Sequence, residues 1–203
     1  MKLYNSVGPN PQVVRTFMAE RSITLDMEEI DIMAGDNRKP DYLAVNPAGQ
    51  LPALLLDDGS ILTEITVICE YLDETQPGPS LMGETPEARA KIRSWTRWAD
   101  LNVCEPLANG FRFAEGLPLF ESRMRCIPEA SDGLKACVQD KLTWLDGQLG
   151  DRPFLAGSNF SLADILLSTF IGFGEQVGQP LNRDLKTVAA WYDRCVSRES
   201  AKA

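Results

Sequence analysis

Apolar residues recur along the chain with two different periods, and the change between them divides it. Met1–Asn5 (MKLYN) reads as a short strand around Leu3, and Asp26–Ile32 (DMEEIDI) alternates as a second. Between them Asn10 followed by Pro11 is a helix start, an N-cap and a first-turn proline, with Val13, Val14, Phe17 and Met18 as the buried face. Asp36–Leu43 is a loop leading to a short helical turn. From Asn46 the chain reads as a turn, a proline-led strand (Pro52, then Ala53–Leu56), an Asp57-Asp58-Gly59 hairpin and a very short strand, Ser60–Thr63. A helix with Ile65, Ile68, Cys69 and Leu72 on one face follows, with Glu64 at its entrance. That order alone suggests a small mixed sheet.

Residues 77–85 are rich in proline and glycine and read as a linker between a domain at 1–76 and one at 86–203. Beyond it every apolar pattern is helical. A long helix is expected from Pro86 to Asn109, broken by Gly110–Pro118 and resuming at Leu119–Arg125. Leu134, Val138, Leu142, Leu145 and Leu149 mark another. Ser161-Leu162-Ala163-Asp164 is a capping-box start for a largely apolar helix, and a last helix spans about Leu185–Val196. Arg89, Lys91, Arg93 and Arg97 read as a solvated basic stripe, with pocket or partner contact as the second reading.

A net charge of −9 argues against a nucleic-acid binder, which needs a basic face. No apolar run approaches the roughly 18 residues of a membrane span, and the opening MKLYNSVGPN lacks a signal-peptide core. A cytoplasmic protein is expected. The five cysteines have no CxxC spacing, so neither a zinc site nor a disulfide framework is expected. There is no histidine, which excludes imidazole bases, His-dependent triads and His metal sites. The loop Ser6–Pro11, between a strand end and a helix N-terminus, is where an anion or a reactive group would be met by free backbone N–H groups.

The string NPAGQLP, an apolar strand, Asp-Gly, then Leu62-Thr63-Glu64 and a helix ending in Tyr71-Leu72 resembles the thioredoxin-like half of the cytosolic glutathione S-transferases. The local PNPQVVR resembles a bacterial and fungal branch with PNPxxVR that lacks the usual Tyr, Ser or Cys. The resemblance implies an α+β thioredoxin-like domain followed by an all-α domain. It implies a cis Pro52, with the backbone of Leu51 pairing with the cysteinyl part of glutathione, Glu64 holding the γ-glutamyl end, and Gln50 in the same glutathione site. Ile65 stands where the family places a serine, so that position offers only its backbone N–H. Lys39 is a candidate for the glycyl carboxylate. The thiolate donor is left open among the Asn10 amide, the Ser6 hydroxyl and the helix N-terminus.

The function implied is conjugation of glutathione, as co-substrate, to a small hydrophobic electrophile, by a homodimer. A glutathione-dependent disulfide reductase or peroxidase, and a non-catalytic transferase-like scaffold, stand as alternatives.

Overall fold

The computed structural model describes residues 1–203, which fall into two compact units, Met1–Met82 with Glu199–Ala203, and Gly83–Arg198.

The first unit is built on a mixed sheet of β1 (Lys2–Asn5), β2 (Asp26–Glu29), β3 (Ala53–Leu55) and β4 (Ile61–Leu62), in the order β2-β1-β3-β4. β1 runs parallel to β2 and antiparallel to β3, and β3 runs antiparallel to β4. The helices are α1 (Pro9–Glu20), α2 (Pro40–Val45) and α3 (Ile65–Thr75), with a 3-10 turn at Asp36–Arg38 before α2. β1 and β3 pair Leu3 with Leu54 and Tyr4 with Ala53, so the pleat sends those pairs to opposite faces. Tyr4 and Ala53 form one small core with Tyr42, against which Leu51, Val45 and Ile61 pack.

Two elements depart from their sequence patterns. β2 stops at Glu29 rather than Ile32, because the Asp31 carboxylate accepts the N–H groups of Met33 and Ala34, at 2.8 and 3.0 Å, and turns the chain. α1 begins at Pro9, not after an Asn10 cap: Gly8, at φ 109°, supplies the turn, and both prolines fit inside the first helical turn.

The first unit also holds a buried ion pair. Arg21, at the end of α1, bonds Asp73 of α3 and the Gln76 carbonyl, and Asp73 accepts from Ser80 and from the Leu81 N–H. The last residues, placed by sequence with the helical region, group here: Ser200 donates to Glu20, and Gln12 to the Ala203 carbonyl.

The second unit contains α4 (Pro86–Ala99), α5 (Glu105–Arg112), α6 (Leu117–Phe120), α7 (Ser131–Leu149), α8 (Leu162–Gln176) and α9 (Lys186–Val196). α4 and α5 are joined by a π turn at Asp100–Cys104, so the helix runs on to Arg112. Pro106 lacks the N–H that a regular α ladder needs, and the Glu105 N–H reaches five residues back to Asp100. Gly110 does not break the helix as expected. A Cβ there would meet Lys135 Cγ at 3.1 Å and Gln179 Oε1 at 3.2 Å, so glycine serves close approach to α7. The expected Leu119–Arg125 helix is only the short α6.

Asp164 opens α8 fully buried and takes four donors: the Leu155 and Ser161 N–H groups, the Ser161 hydroxyl and Trp191 Nε1. Burial raises its pKa above the usual carboxylate value, and those four bonds oppose the rise. No helix is long and apolar enough to cross a membrane.

Candidate functional site

Three segments reach the same end of the sheet. The β1–β3 register, continued two residues past Tyr4 and Ala53, sets Ser6 against Leu51. The β3–β4 register, continued two residues past Leu54 and Leu62, sets Pro52 against Glu64. Strand pairing therefore brings the Ser6–Asn10 loop, the Gln50–Pro52 turn and the start of α3, distant in sequence, to one end of the sheet.

The Gln50–Pro52 turn is tightly held. The Gln50 carbonyl accepts from Tyr42 Oη at 2.6 Å and from Asn46 Nδ2 at 2.9 Å. Asn37 Nδ2 donates to the Gly49 carbonyl at 2.7 Å, and Asn46 Oδ1 accepts the Ala48 N–H at 3.1 Å. Gly49 must be glycine twice over, with φ at 63° and a Cβ that would lie 2.9 Å from the Asn37 carbonyl oxygen. Burial pushes the Tyr42 phenol up to about 12, so it remains a proton donor at ordinary pH. The Leu51–Pro52 peptide is cis. Amid these bonds, neither the Leu51 N–H nor its carbonyl has a partner in the chain. Such a main-chain pair can receive an extended peptide.

Glu64 caps α3 with its side chain exposed and its backbone at φ 70°, an uncommon conformation for a residue with a Cβ. The first bond of α3 runs from the Ile68 N–H to the Glu64 carbonyl, which leaves the N–H groups of Ile65, Thr66 and Val67 as first-turn donors.

The loop is less rich in donors than its sequence suggests. Pro9 and Pro11 have no N–H, and the Gln12 N–H is bonded to the Gly8 carbonyl, so Asn10 carries the one open main-chain donor of the first turn. Its side-chain amide is free of the capping duty that the sequence assigned it, since Gly8 is the cap. The Ser6 hydroxyl is buried and donates to the Ile30 carbonyl at 2.6 Å, so its proton is already engaged. Lys39 is exposed and pairs with Asp36 at 2.6 Å, which raises its pKa.

Strand pairing thus gathers Ser6, the Asn10 loop, Gln50, Leu51, Pro52, Glu64 and Ile65, while Lys39 ends the 3-10 turn. Sequence reasoning missed Asn37, Tyr42, Asn46 and Arg15, whose bonds end mainly on carbonyls. The only signal was Asn46 before Pro47, legible as a turn. No group of acidic, cysteine or histidine side chains is arranged to hold a metal.

The sequence pattern and the fold recur in known proteins. Residues 7–75 match the family model for the glutathione S-transferase N-terminal domain, and residues 129–199 that for the C-terminal domain. The chain is 31% identical to glutathione S-transferase 2 of Saccharomyces cerevisiae, covering 100% of this chain and 88% of that protein. It is 30% identical to the transferase GstA of Escherichia coli O157:H7, covering 98% and 94%. The crystal structure of Gtt2 from Saccharomyces cerevisiae superposes with a TM-score of 0.91 at 31% identity, covering 100% of this chain and 99% of that one. A glutathione S-transferase domain-containing protein of Marinobacter aquaeolei gives the same score and identity over 99% and 100%. The chain belongs to the glutathione S-transferase family.

Proposed function

We propose that the protein is a glutathione transferase, which binds glutathione at the end of the sheet and stabilises its thiolate for attack on a small hydrophobic electrophile. The observation that carries this reading is the unpartnered Leu51 main chain, held in place from behind by Tyr42 and Asn46. The cysteinyl backbone of glutathione pairs with Leu51 next to Pro52. Its γ-glutamyl carboxylate lies on the Ile65 N–H, where the start of a helix favours negative charge, and Glu64 takes the ammonium beside Gln50. Lys39 exchanges Asp36 for the glycyl carboxylate.

The Asn10 amide donates to the sulfur. A thiol near pKa ~8.5 needs only one or two units of depression to be substantially ionised at neutral pH, and each unit is about 1.4 kcal/mol. One amide donor in a partly desolvated loop is of that size. Ser6 acts by fixing the loop through Ile30.

We also infer a homodimer working in the cytoplasm. The apolar surface left on the chain supports the first: Val67 of α3 is exposed, and Trp144 of α7, exposed, lies tilted against Trp98 and Trp95 of α4. Five unpaired cysteines support the second. The disulfide-reductase and scaffold alternatives gain no separate support, and an open ligand ladder speaks against an inert scaffold.

The test is calorimetric titration with reduced glutathione, followed by turnover with 1-chloro-2,4-dinitrobenzene. Saturable binding with conjugation is expected. No binding at millimolar glutathione would refute the proposal.

A further inference from the structure

Three residues, Ser6, Val7 and Gly8, carry the chain from the end of β1 to the start of α1. Arg15, inside α1, reaches back over them. Its Nη1 donates to the Ser6 carbonyl at 2.9 Å and to Asn5 Oδ1 at 2.8 Å, and its Nη2 bonds Gln12 Oε1. Asn5 is itself buried and donates to the Glu29 carboxylate of β2, the charged group that faces Arg15 from the sheet. The Ile30 N–H donates to the Asn5 carbonyl at 2.9 Å, so the residue before the loop is fixed on both its side chain and its main chain.

The Ser6–Val7 peptide is trans, and in a trans peptide the carbonyl and the following N–H point in opposite directions. The Ser6 carbonyl is turned inward to a half-buried guanidinium. The Val7 N–H therefore points away from that guanidinium, on a residue 62% exposed, and it has no acceptor in the chain. This donor matters because prolines remove two of the first-turn donors of α1.

We propose that Arg15 is a positioning residue of the thiol site, locking the Ser6–Val7 peptide so that the Val7 N–H donates, beside the Asn10 amide, to the sulfur of bound glutathione. The proposal rests on the transferase reading above. The thiol proton leaves to solvent, and the thiolate left behind is held by donors that need no reorganisation. A fork is required for this: two donors of one planar group hold the carbonyl and the Asn5 amide at once, whereas the single ammonium of lysine is a mobile point charge.

The test compares the protein with Arg15→Lys, Arg15→Met and a variant in which an ester replaces the Ser6–Val7 amide, which deletes the Val7 N–H alone as a donor. The readouts are the pKa of the bound thiol, from the ultraviolet absorbance of the thiolate against pH, and the affinity for S-methylglutathione, which has no thiol to ionise. All three changes are expected to raise the bound thiol's pKa by about one unit, with S-methylglutathione affinity unchanged. An unshifted pKa in Arg15→Lys or in the ester would overturn the proposal while leaving the transferase reading intact. So would equal losses of thiol ionisation and S-methylglutathione binding, the mark of a merely structural arginine. If the unaltered protein binds neither ligand, the transferase reading falls first and the proposal with it.

Discussion

Tyr42→Phe removes one of the two donors that hold the Gln50 carbonyl, and the structure sets how much this weakens glutathione binding. The lost bond is short, 2.6 Å, and comes from a phenol that burial keeps protonated. The carbonyl is not orphaned, because Asn46 still donates to it at 2.9 Å. The loss is therefore that of an ordinary intramolecular hydrogen bond, about 1 kcal/mol, without a desolvation penalty on top. The phenyl ring remains to pack with Tyr4 and Leu51, so the small core beneath the turn is kept. If the freed turn samples other conformations, the dissociation constant for glutathione rises by at most about fivefold.

Asn46→Ala is the sharper test. It removes the second donor to Gln50 and the acceptor of the Ala48 N–H together, about 2 kcal/mol, for a ceiling of about thirtyfold. Calorimetric titration of both variants and of the double variant measures these losses, with urea unfolding run in parallel to separate binding from stability. The double variant should lose more than the sum of the singles, since Gln50 is then left without a donor. Unchanged affinity in Asn46→Ala, with the fold intact, would refute the view that this turn is held in its binding conformation by side chains.

Asn10→Ala should lower turnover about tenfold or more while leaving glutathione affinity nearly unchanged, as expected for a donor that matters only to the charged thiolate; steady-state kinetics and calorimetry check the split. Asp73→Ala leaves the Arg21 guanidinium buried without its carboxylate and should cost about 3–5 kcal/mol by urea unfolding; a loss below about 1 kcal/mol would contradict the role given to that pair. Asp164→Asn keeps the shape but turns an amide N–H₂ toward one of two donor pairs, Leu155 with Trp191 or the Ser161 N–H with its hydroxyl, and should cost about 2–4 kcal/mol, with a changed near-ultraviolet signal from Trp191.

Much of the fold was legible because its signals are local. The Asp57-Asp58-Gly59 hairpin, the capping box at Ser161 and Asp164, and the four-and-three spacing of α7 each follow from neighbours within one turn. Where local signals conflict, the sequence misled. Pro9-Asn10-Pro11 offers two helix starts, and the outcome was decided by Gly8, whose freedom at positive φ lets the helix begin earlier. Gly110 reads as a breaker, yet its missing side chain is what lets Lys135 and Gln179 pack close.

The residues around the candidate site divide the same way. Gln50, Leu51, Pro52 and Glu64 lie in a motif and could be picked out. Asn37, Tyr42, Asn46 and Arg15 could not, because they act on carbonyls, and a carbonyl leaves no mark in a sequence. The engagement of the Ser6 hydroxyl by Ile30 depends on β1 lying beside β2, a tertiary fact.

The proposed site holds glutathione chiefly by main chain, at Leu51 and at the first turn of α3. Amide chemical shifts of the isotopically labelled protein, followed through a titration with reduced glutathione, test it most directly. Saturable shifts of the Leu51 and Ile65 N–H signals are expected, with Val7 and Asn10 moving on the same isotherm. Saturable binding that leaves Leu51 and Ile65 unmoved would contradict it.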